Sequence, residues 1–170
     1  MPVRLIPFES DGFYHIYNRS TERIPLFRSA ADCHFFISKM LLLSEQMQID
    51  IPVWSLLRTH FHQLAIQKGE VPVSMLQHRL CSSYAAYFNR KYHRKGYLFE
   101  SRYKAKMITS DEYLASLTQY IEYNPIHHGL VTRIEDWPYT SRFVGNPLLN
   151  KPEKYIESEF EEMEILKQAG

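Results

Sequence analysis

Two strand-like runs that follow each other almost without a connection constrain the fold of this chain most. Residues 51–58 read "IPVWSLLR" and residues 59–67 read "THFHQLAIQ". Both runs have the length and the aromatic and β-branched content that are typical of β-strands. Strands joined this closely pair as an antiparallel hairpin. The remaining elements must therefore be arranged around a hairpin.

The segments on either side of the hairpin alternate between strand-like and helix-like patterns. Strands are predicted at 12–20 and 97–108, and helices at 29–47, 73–94 and 109–125. The order β-α-β-β-α-β predicts an α+β fold, a ferredoxin-like (split βαβ) antiparallel sheet with a helix added after the fourth strand. Because that fold hosts many functions, it does not decide the activity.

The length and the hydropathy pattern predict the domain organisation. We assign residues 1–150 to a single domain and residues 151–170 to an acidic tail, which is expected to be helical. No apolar run reaches the roughly 18 residues that span a bilayer, and the N-terminus lacks the apolar core of a signal peptide. A cytoplasmic location without a membrane partner is therefore expected.

The second strand of the hairpin carries two histidines, His60 and His62. Alternate residues of a strand share a face, so both imidazoles project from one surface together with Leu64 and Ile66. Neutral imidazoles that converge in this way are good ligands for Mn²⁺, Zn²⁺ or Mg²⁺. The spacing alone is a weak signal, and two partly exposed polar side chains on a strand are an equally good interpretation.

The third predicted helix supplies further polar groups on one face. Tyr120 and Asn124 are four residues apart and therefore neighbours on that face. Thr109 and Glu112 fit a capping box at its start, and Pro125 is expected to stop it, since the residue before a proline avoids the helical conformation. If this face lies over the histidines, a phenol and an amide oxygen meet two imidazoles.

An ordered set of motifs resembles one family. "HFH" and, later, "QYIEYNP" resemble the HUH single-tyrosine transposases of the IS200/IS605 kind, and the closer match is their domesticated branch, the REP-associated tyrosine transposases. "YHIYNRS", "SSYAAYFNRKYHRKGYLFESRYKAKMI", "YIEYNPIHHGLV" and "WPYTS" follow the family's order over about residues 12–145. Family members often have "NHVHLL" where this chain has "THFHQL", so Thr59 replaces Asn and Gln63 replaces Leu. Thr59 is expected to face away from the site.

The resemblance implies a role for each matching residue. It implies that His60, His62 and Asn124 hold a divalent metal ion, Mg²⁺ or Mn²⁺. It implies that Tyr120 is the nucleophile that attacks a phosphodiester in single-stranded DNA and leaves a 5′-phosphotyrosine bond and a free 3′-hydroxyl. The implied partner is single-stranded DNA with hairpin-forming repeats, and both a monomer and a homodimer remain open.

A basic, aromatic segment is typical of single-strand binding. From Arg79 to Lys106 the chain has eight Lys or Arg residues and one acid, interleaved with aromatic residues. Cations can follow a phosphate backbone while rings stack on unpaired bases. The residues expected to contact DNA are Arg90, Lys91, Arg94, Lys95, Arg102, Lys104 and Lys106, with Asn18 and Arg19 of the first strand. His15 on the same strand is a weaker candidate.

Other interpretations of the same residues are less favoured. A non-catalytic single-stranded nucleic-acid-binding protein would keep the basic segment and need no metal. Histidine-triad and two-histidine phosphoesterases need a further alternating histidine or a second His-x-Thr/Ser motif, which this sequence does not offer. As rival nucleophiles, Tyr113 lies two turns before Tyr120, and Tyr123 points to another side of the helix.

Overall fold

A computed structural model of the chain describes residues 7–143, so the acidic tail and the boundary at residue 150 lie outside the described residues. The strands are β1 (Phe13–Arg19), β2 (Ile49–Leu56), β3 (His60–Gln67) and β4 (Lys104–Met107), and the helices are α1 (Ala30–Met47), α2 (Val73–Lys91) and α3 (Asp111–His127). The strands form one sheet in the order β2-β3-β1-β4, and every neighbouring pair is antiparallel. The predicted α+β fold with an added helix is confirmed. Within residues 7–143, no helix has the length and apolar character needed to cross a membrane.

The main core lies between the sheet and the helices α1 and α2. Phe61 of β3, Phe36 of α1 and Tyr84 of α2 are completely buried there, and Phe36 contacts both other rings. One polar pair lies in the same core. The Nε2 of Gln77 donates a hydrogen bond of 2.6 Å to the Oε1 of Gln63. Gln63, which stands where the family often has Leu, is therefore matched by a second buried amide.

The opposite face of the sheet is covered by α3. Leu117 and Ile121 of α3 form a second, smaller cluster with Val53 of β2 and Leu64 of β3, and all four are buried. Leu64 shares its face with His60 and His62 because strand side chains alternate. The second cluster therefore fixes α3 on the histidine face, which meets the condition that the sequence left open.

Both predicted ends of α3 are wrong. The helix is capped by Ser110 rather than Thr109, and the Ser110 side chain accepts a hydrogen bond from the backbone N–H of Tyr113. It also continues past Pro125 to His127. A proline removes one helical hydrogen bond, a small loss in the last turn, and Gly129, at φ +66°, then lets the chain leave the helix. Asn124 consequently stays within the helix.

The segment between α2 and β4 also differs from the prediction. The helix ends at Lys91 rather than residue 94, and the strand covers only Lys104–Met107 rather than residues 97–108. Within the connection, Gly96 has a φ of +91°, and the backbone N–H of Thr21 donates to the carbonyl of Leu98. These contacts hold the connection against the end of β1 as an irregular loop.

A buried carboxylate joins the start of α1 to the end of α2. Asp32 is completely buried and accepts hydrogen bonds from the backbone N–H groups of Arg28 and Ser29. It also accepts from the hydroxyl of Tyr92 at 2.7 Å and from the Nζ of Lys91 at 2.9 Å. Burial and the hydrogen bond to Asp32 raise the pKa of Tyr92 to about 12, so its phenol remains a donor.

We expect Asp32→Ala to lower the free energy of unfolding by about 3 kcal/mol, because it removes a buried carboxylate that accepts hydrogen bonds from backbone N–H groups, phenols and an ammonium group. The variant removes the acceptor of the Lys91 ammonium group and of the phenols of Tyr87 and Tyr92. Urea unfolding measures the change, with Glu100→Gln as a control, because Glu100 pairs with Arg19 on the surface and surface pairs contribute little. Equal stability of the two variants would contradict the role of Asp32.

Candidate active site

Strand β3 presents both predicted histidines on the face that α3 covers. His62 is 7% exposed and His60 is half-buried, and their ring centroids lie 5.2 Å apart. The Oγ1 of Thr59 lies 3.2 Å from the Nδ1 of His60. Thr59 precedes β3 and its side chain reaches the Nδ1 edge of His60, so the expectation that it faces away from the metal stays a prediction.

A third histidine, His15 on β1, joins this cluster. Its Nε2 lies 2.9 Å from the Nδ1 of His62, and the residue is 8% exposed. The sequence suggests His15 only as a weak candidate for DNA contact. The pairing of β1 with β3 sets Tyr17 opposite His62, which places His15 and Tyr17 on the histidine face. That register is the signal that would have revealed the cluster.

Burial keeps the three histidines neutral. It lowers the pKa of His15 and of His60 to about 4 and the pKa of His62 to about 2, and neighbouring cations and imidazoles add to the effect. A neutral imidazole keeps one ring nitrogen with a free lone pair. At neutral pH the cluster therefore offers lone pairs rather than positive charge.

Helix α3 brings Tyr120 and Asn124 to the same region. The Tyr120 ring lies 5.7 Å from the His62 ring and is nearly perpendicular to it, while the residue remains 41% exposed. Asn124, one turn later, is completely buried. The predicted meeting of a phenol with the histidines thus occurs, and the phenol keeps access to a ligand from solvent.

The amide of Asn124 is buried in an unusual way. Neither its Oδ1 nor its Nδ2 has a hydrogen-bond partner among the described residues. Buried polar groups without partners are rare and call for an explanation. Within residues 7–143 no group of three or more His, Cys, Asp or Glu side chains is placed to hold a metal ion. Two neutral imidazoles and an unpartnered amide oxygen nevertheless fit a divalent cation.

The extension of α3 beyond Pro125 adds two more histidines. The ring of His128 lies 4.6 Å from that of His60, and the ring of His127 stacks on Tyr120 at 6.0 Å. The helix end predicted at Pro125 would have left both residues outside the helix. Their proximity to the site follows from the two additional helical residues.

Two of the predicted DNA-contacting lysines flank the site. Lys104 and Lys106 of β4 are exposed, and the strand register sets them opposite Tyr17 and His15 of β1. The Nζ of Lys104 lies 6.0 Å from the Tyr17 ring, and the Nζ of Lys106 lies 4.6 Å from the ring of Tyr113. A row of cations and rings therefore continues outward from the histidines across β1 and β4.

The side chains of two other predicted DNA contacts are hydrogen-bonded to groups of the protein itself. The Nζ of Lys91 donates to Ser29, Asp32 and Tyr87, which uses all three donors of an ammonium group. Asn18 is 5% exposed, and its amide binds the carbonyl of Ser101 and the backbone N–H of Arg19. Both side chains therefore have partners within the protein, and their contact with DNA stays a prediction.

Four of the remaining predicted contacts lie around the α2–β4 connection, and Arg19 lies on β1 opposite His60. Arg90, Lys95 and Arg102 are exposed. Arg94 donates to the Oδ1 of Asn89 at 3.0 Å, and Arg19 pairs with Glu100 on the surface. Contact between these five residues and a nucleic acid stays a prediction.

Comparison with known proteins defines the class to which this fold and site belong. The family model described as "Transposase IS200 like" matches residues 9–124, a range that includes all four strands and extends to Asn124. The class is thus that of the transposases. More particularly, the chain belongs to the IS200-like transposase family, and the resemblance seen in the motifs is confirmed.

The chain is also similar to one curated protein and to two solved structures. The chain is 40% identical over 53 residues to a REP-associated tyrosine transposase of Haemophilus influenzae, which covers 31% of this chain and about a third (30%) of that protein's length. A solved REP-associated tyrosine transposase bound to a REP hairpin shares the fold, with a TM-score of 0.70 at 18% identity over 87% of this chain and 88% of that one. A Deinococcus radiodurans structure described as a transposase aligns with a TM-score of 0.48 at 15% identity, over 72% of this chain and 95% of that one.

Proposed function

We propose that this chain cleaves and rejoins single-stranded DNA with Tyr120 as the nucleophile, and that His60, His62 and Asn124 hold a divalent cation, Mg²⁺ or Mn²⁺. The observation that carries the proposal is the amide of Asn124, which is completely buried and has no hydrogen-bond partner within residues 7–143. It lies one helical turn from Tyr120 on the helix that covers two neutral imidazoles. A cation ligand explains why a folded protein tolerates such an amide.

The chemistry of the donor set supports this role. A cation held there would polarise the scissile phosphate and stabilise the charge that builds on it. Neutral ligands leave the positive charge of such a cation undiminished, which suits an anionic substrate. The side chain of Tyr120 is partly exposed beside His62, so a DNA phosphate can reach the phenol and the histidines together.

The proposed step exchanges one phosphodiester for another. The Oη of Tyr120 loses its proton to solvent and attacks the phosphorus atom, and the bond from phosphorus to the 3′-oxygen breaks. The products are a 5′-phosphotyrosine bond and a 3′-hydroxyl, which takes up a proton. Because a phosphodiester is formed for each one broken, the step is nearly isoenergetic and can be reversed onto another 3′-hydroxyl.

We propose hairpin-forming, REP-like repeats in single-stranded DNA as the substrate. Support comes from the REP-associated relatives and from the row of lysines and rings beside the site. The test is to incubate the full chain with labelled hairpin oligonucleotides and Mn²⁺ or Mg²⁺, followed by a denaturing gel. A metal-dependent protein–DNA adduct that EDTA prevents is expected. DNA binding without an adduct would indicate a non-catalytic binding protein instead.

We expect the double variant Lys104→Gln, Lys106→Gln to weaken the binding of single-stranded DNA and to reduce its salt dependence. Each phosphate contact that is lost should lower the slope of log K against log salt concentration by about 0.7. Fluorescence anisotropy over a range of NaCl concentrations measures both effects. The control is Lys68→Gln, an exposed lysine at the end of β3 farthest from His60. If the slope of log K against log salt concentration is the same in the double variant and in the control, the DNA does not contact Lys104 and Lys106.

A further inference from the structure

The contact between His15 and His62 has a geometry that the proposed reaction does not by itself explain. The Nε2 of His15 lies 2.9 Å from the Nδ1 of His62, and the rings are stacked within 20° of parallel. Both residues are more than nine-tenths buried. Tyr17 adds a second stacked ring beside His62, within 23° of parallel. The His62 ring is therefore held at its Nδ1 edge by the His15 nitrogen and on its face by stacked rings.

This contact leaves a single nitrogen of His62 available. A neutral imidazole has one N–H and one lone pair, and the partner of one nitrogen decides which of the two carries the proton. If the Nδ1–H of His62 donates to the Nε2 of His15, the Nε2 of His62 has the free lone pair. If His15 donates instead, the Nε2 of His62 carries a proton and cannot bind a cation.

We propose that His15 is a positioning residue, which accepts the Nδ1–H of His62 and thereby turns the Nε2 lone pair of His62 toward the cation. The inference rests on the proposed cation site. Metal-binding histidines commonly donate their second N–H to an outer partner that fixes the ring and its tautomer. Here the partner is an imidazole, which does the same without adding negative charge next to the cation.

The second histidine of the strand is arranged in a similar way. The Oγ1 of Thr59 lies 3.2 Å from the Nδ1 of His60, so the Nε2 of His60 is again the nitrogen without that neighbour. In both residues an outer group occupies Nδ1. Each of the two rings can then offer its Nε2 atom to a ligand.

The first test measures Mn²⁺ binding to the full chain by electron paramagnetic resonance. We expect His15→Phe, which keeps an aromatic ring against His62 but removes the acceptor, to weaken binding by about 10- to 100-fold. His15→Gln, whose amide oxygen can accept the same N–H, should restore most of the affinity. His78→Leu, at an exposed position of α2, is the control and should bind as the wild type does.

The second test needs no variant and observes the His62 ring itself. Long-range ¹H–¹⁵N NMR of the wild-type chain with Mg²⁺ or Zn²⁺ should show the proton of His62 on Nδ1. Detection of the proton on Nε2, or of metal at Nδ1, overturns the inference whether or not His15→Phe folds.

The outcomes also separate this inference from the proposed function. If His60→Ala loses Mn²⁺ while His15→Phe binds as tightly as the wild type, the cation site stands and the role of His15 falls. If the wild type binds no Mn²⁺, or binds it no better than His60→Ala, the cation site and the role of His15 fall together.

Discussion

We expect Tyr120→Phe to abolish the covalent protein–DNA adduct while leaving DNA binding nearly unchanged. The phenyl ring keeps its positions beside His62 and His127, so the local packing survives. Without the phenol oxygen, however, no bond to phosphorus can form. A denaturing gel reports the adduct and a native mobility shift reports binding, both with Mn²⁺ present.

Matched controls for this variant are available on the same helix. Tyr113→Phe and Tyr123→Phe each remove one phenol oxygen from α3, but these rings lie beside Lys106 and Arg142. Both variants should form the adduct. An adduct that persists in Tyr120→Phe but disappears in one of the controls would identify a different nucleophile, and loss of DNA binding in Tyr120→Phe would make Tyr120 a binding residue.

The second large effect is expected at Asn124. We predict that Asn124→Leu raises the free energy of unfolding of the metal-free protein by about 1–3 kcal/mol, because a buried polar group without a partner costs about that much. The same change should abolish Mn²⁺-dependent adduct formation, since leucine offers no ligand. Urea unfolding in EDTA and the adduct assay measure the two effects. A gain in stability accompanied by a loss of activity is expected where a buried group is retained for function.

Asn18→Leu is the appropriate comparison for Asn124→Leu. Asn18 is also a buried asparagine, but its amide is hydrogen-bonded to Ser101 and to the backbone of Arg19. Replacing it should lower the free energy of unfolding, because its partners are left unsatisfied. If Asn124→Leu instead destabilises the protein or keeps full adduct formation, Asn124 is not a cation ligand.

The elements that depend on local sequence could be predicted, and those that depend on distant pairing could not. The alternation in "THFHQLAIQ" placed His60 and His62 on one face, and the spacing of Tyr120 and Asn124 placed them on one side of α3. Both patterns are set by the geometry of a single element. The faces that meet in the site therefore followed from short stretches of sequence.

The contact of His15 with His62 joins residues that are 47 positions apart, and only the register of β1 against β3 brings them together. Likewise, the ion pair between Asp32 and Lys91 joins two helices, and a partner this distant in sequence could not be predicted for Lys91. The stop predicted at Pro125 failed for another reason. The local rule is weak in the last turn of a helix, where few hydrogen bonds remain to be lost.

The amide pair in the main core limits how this sequence can diverge from its relatives. A single Gln63→Leu change, toward the residue common in the family, would remove the hydrogen-bond acceptor of the Gln77 Nε2, which is completely buried. A single apolar substitution at Gln77 would likewise remove the hydrogen-bond donor to the buried Oε1 of Gln63. The two positions are therefore expected to evolve together, and relatives with leucine at the first should carry an apolar residue at the second.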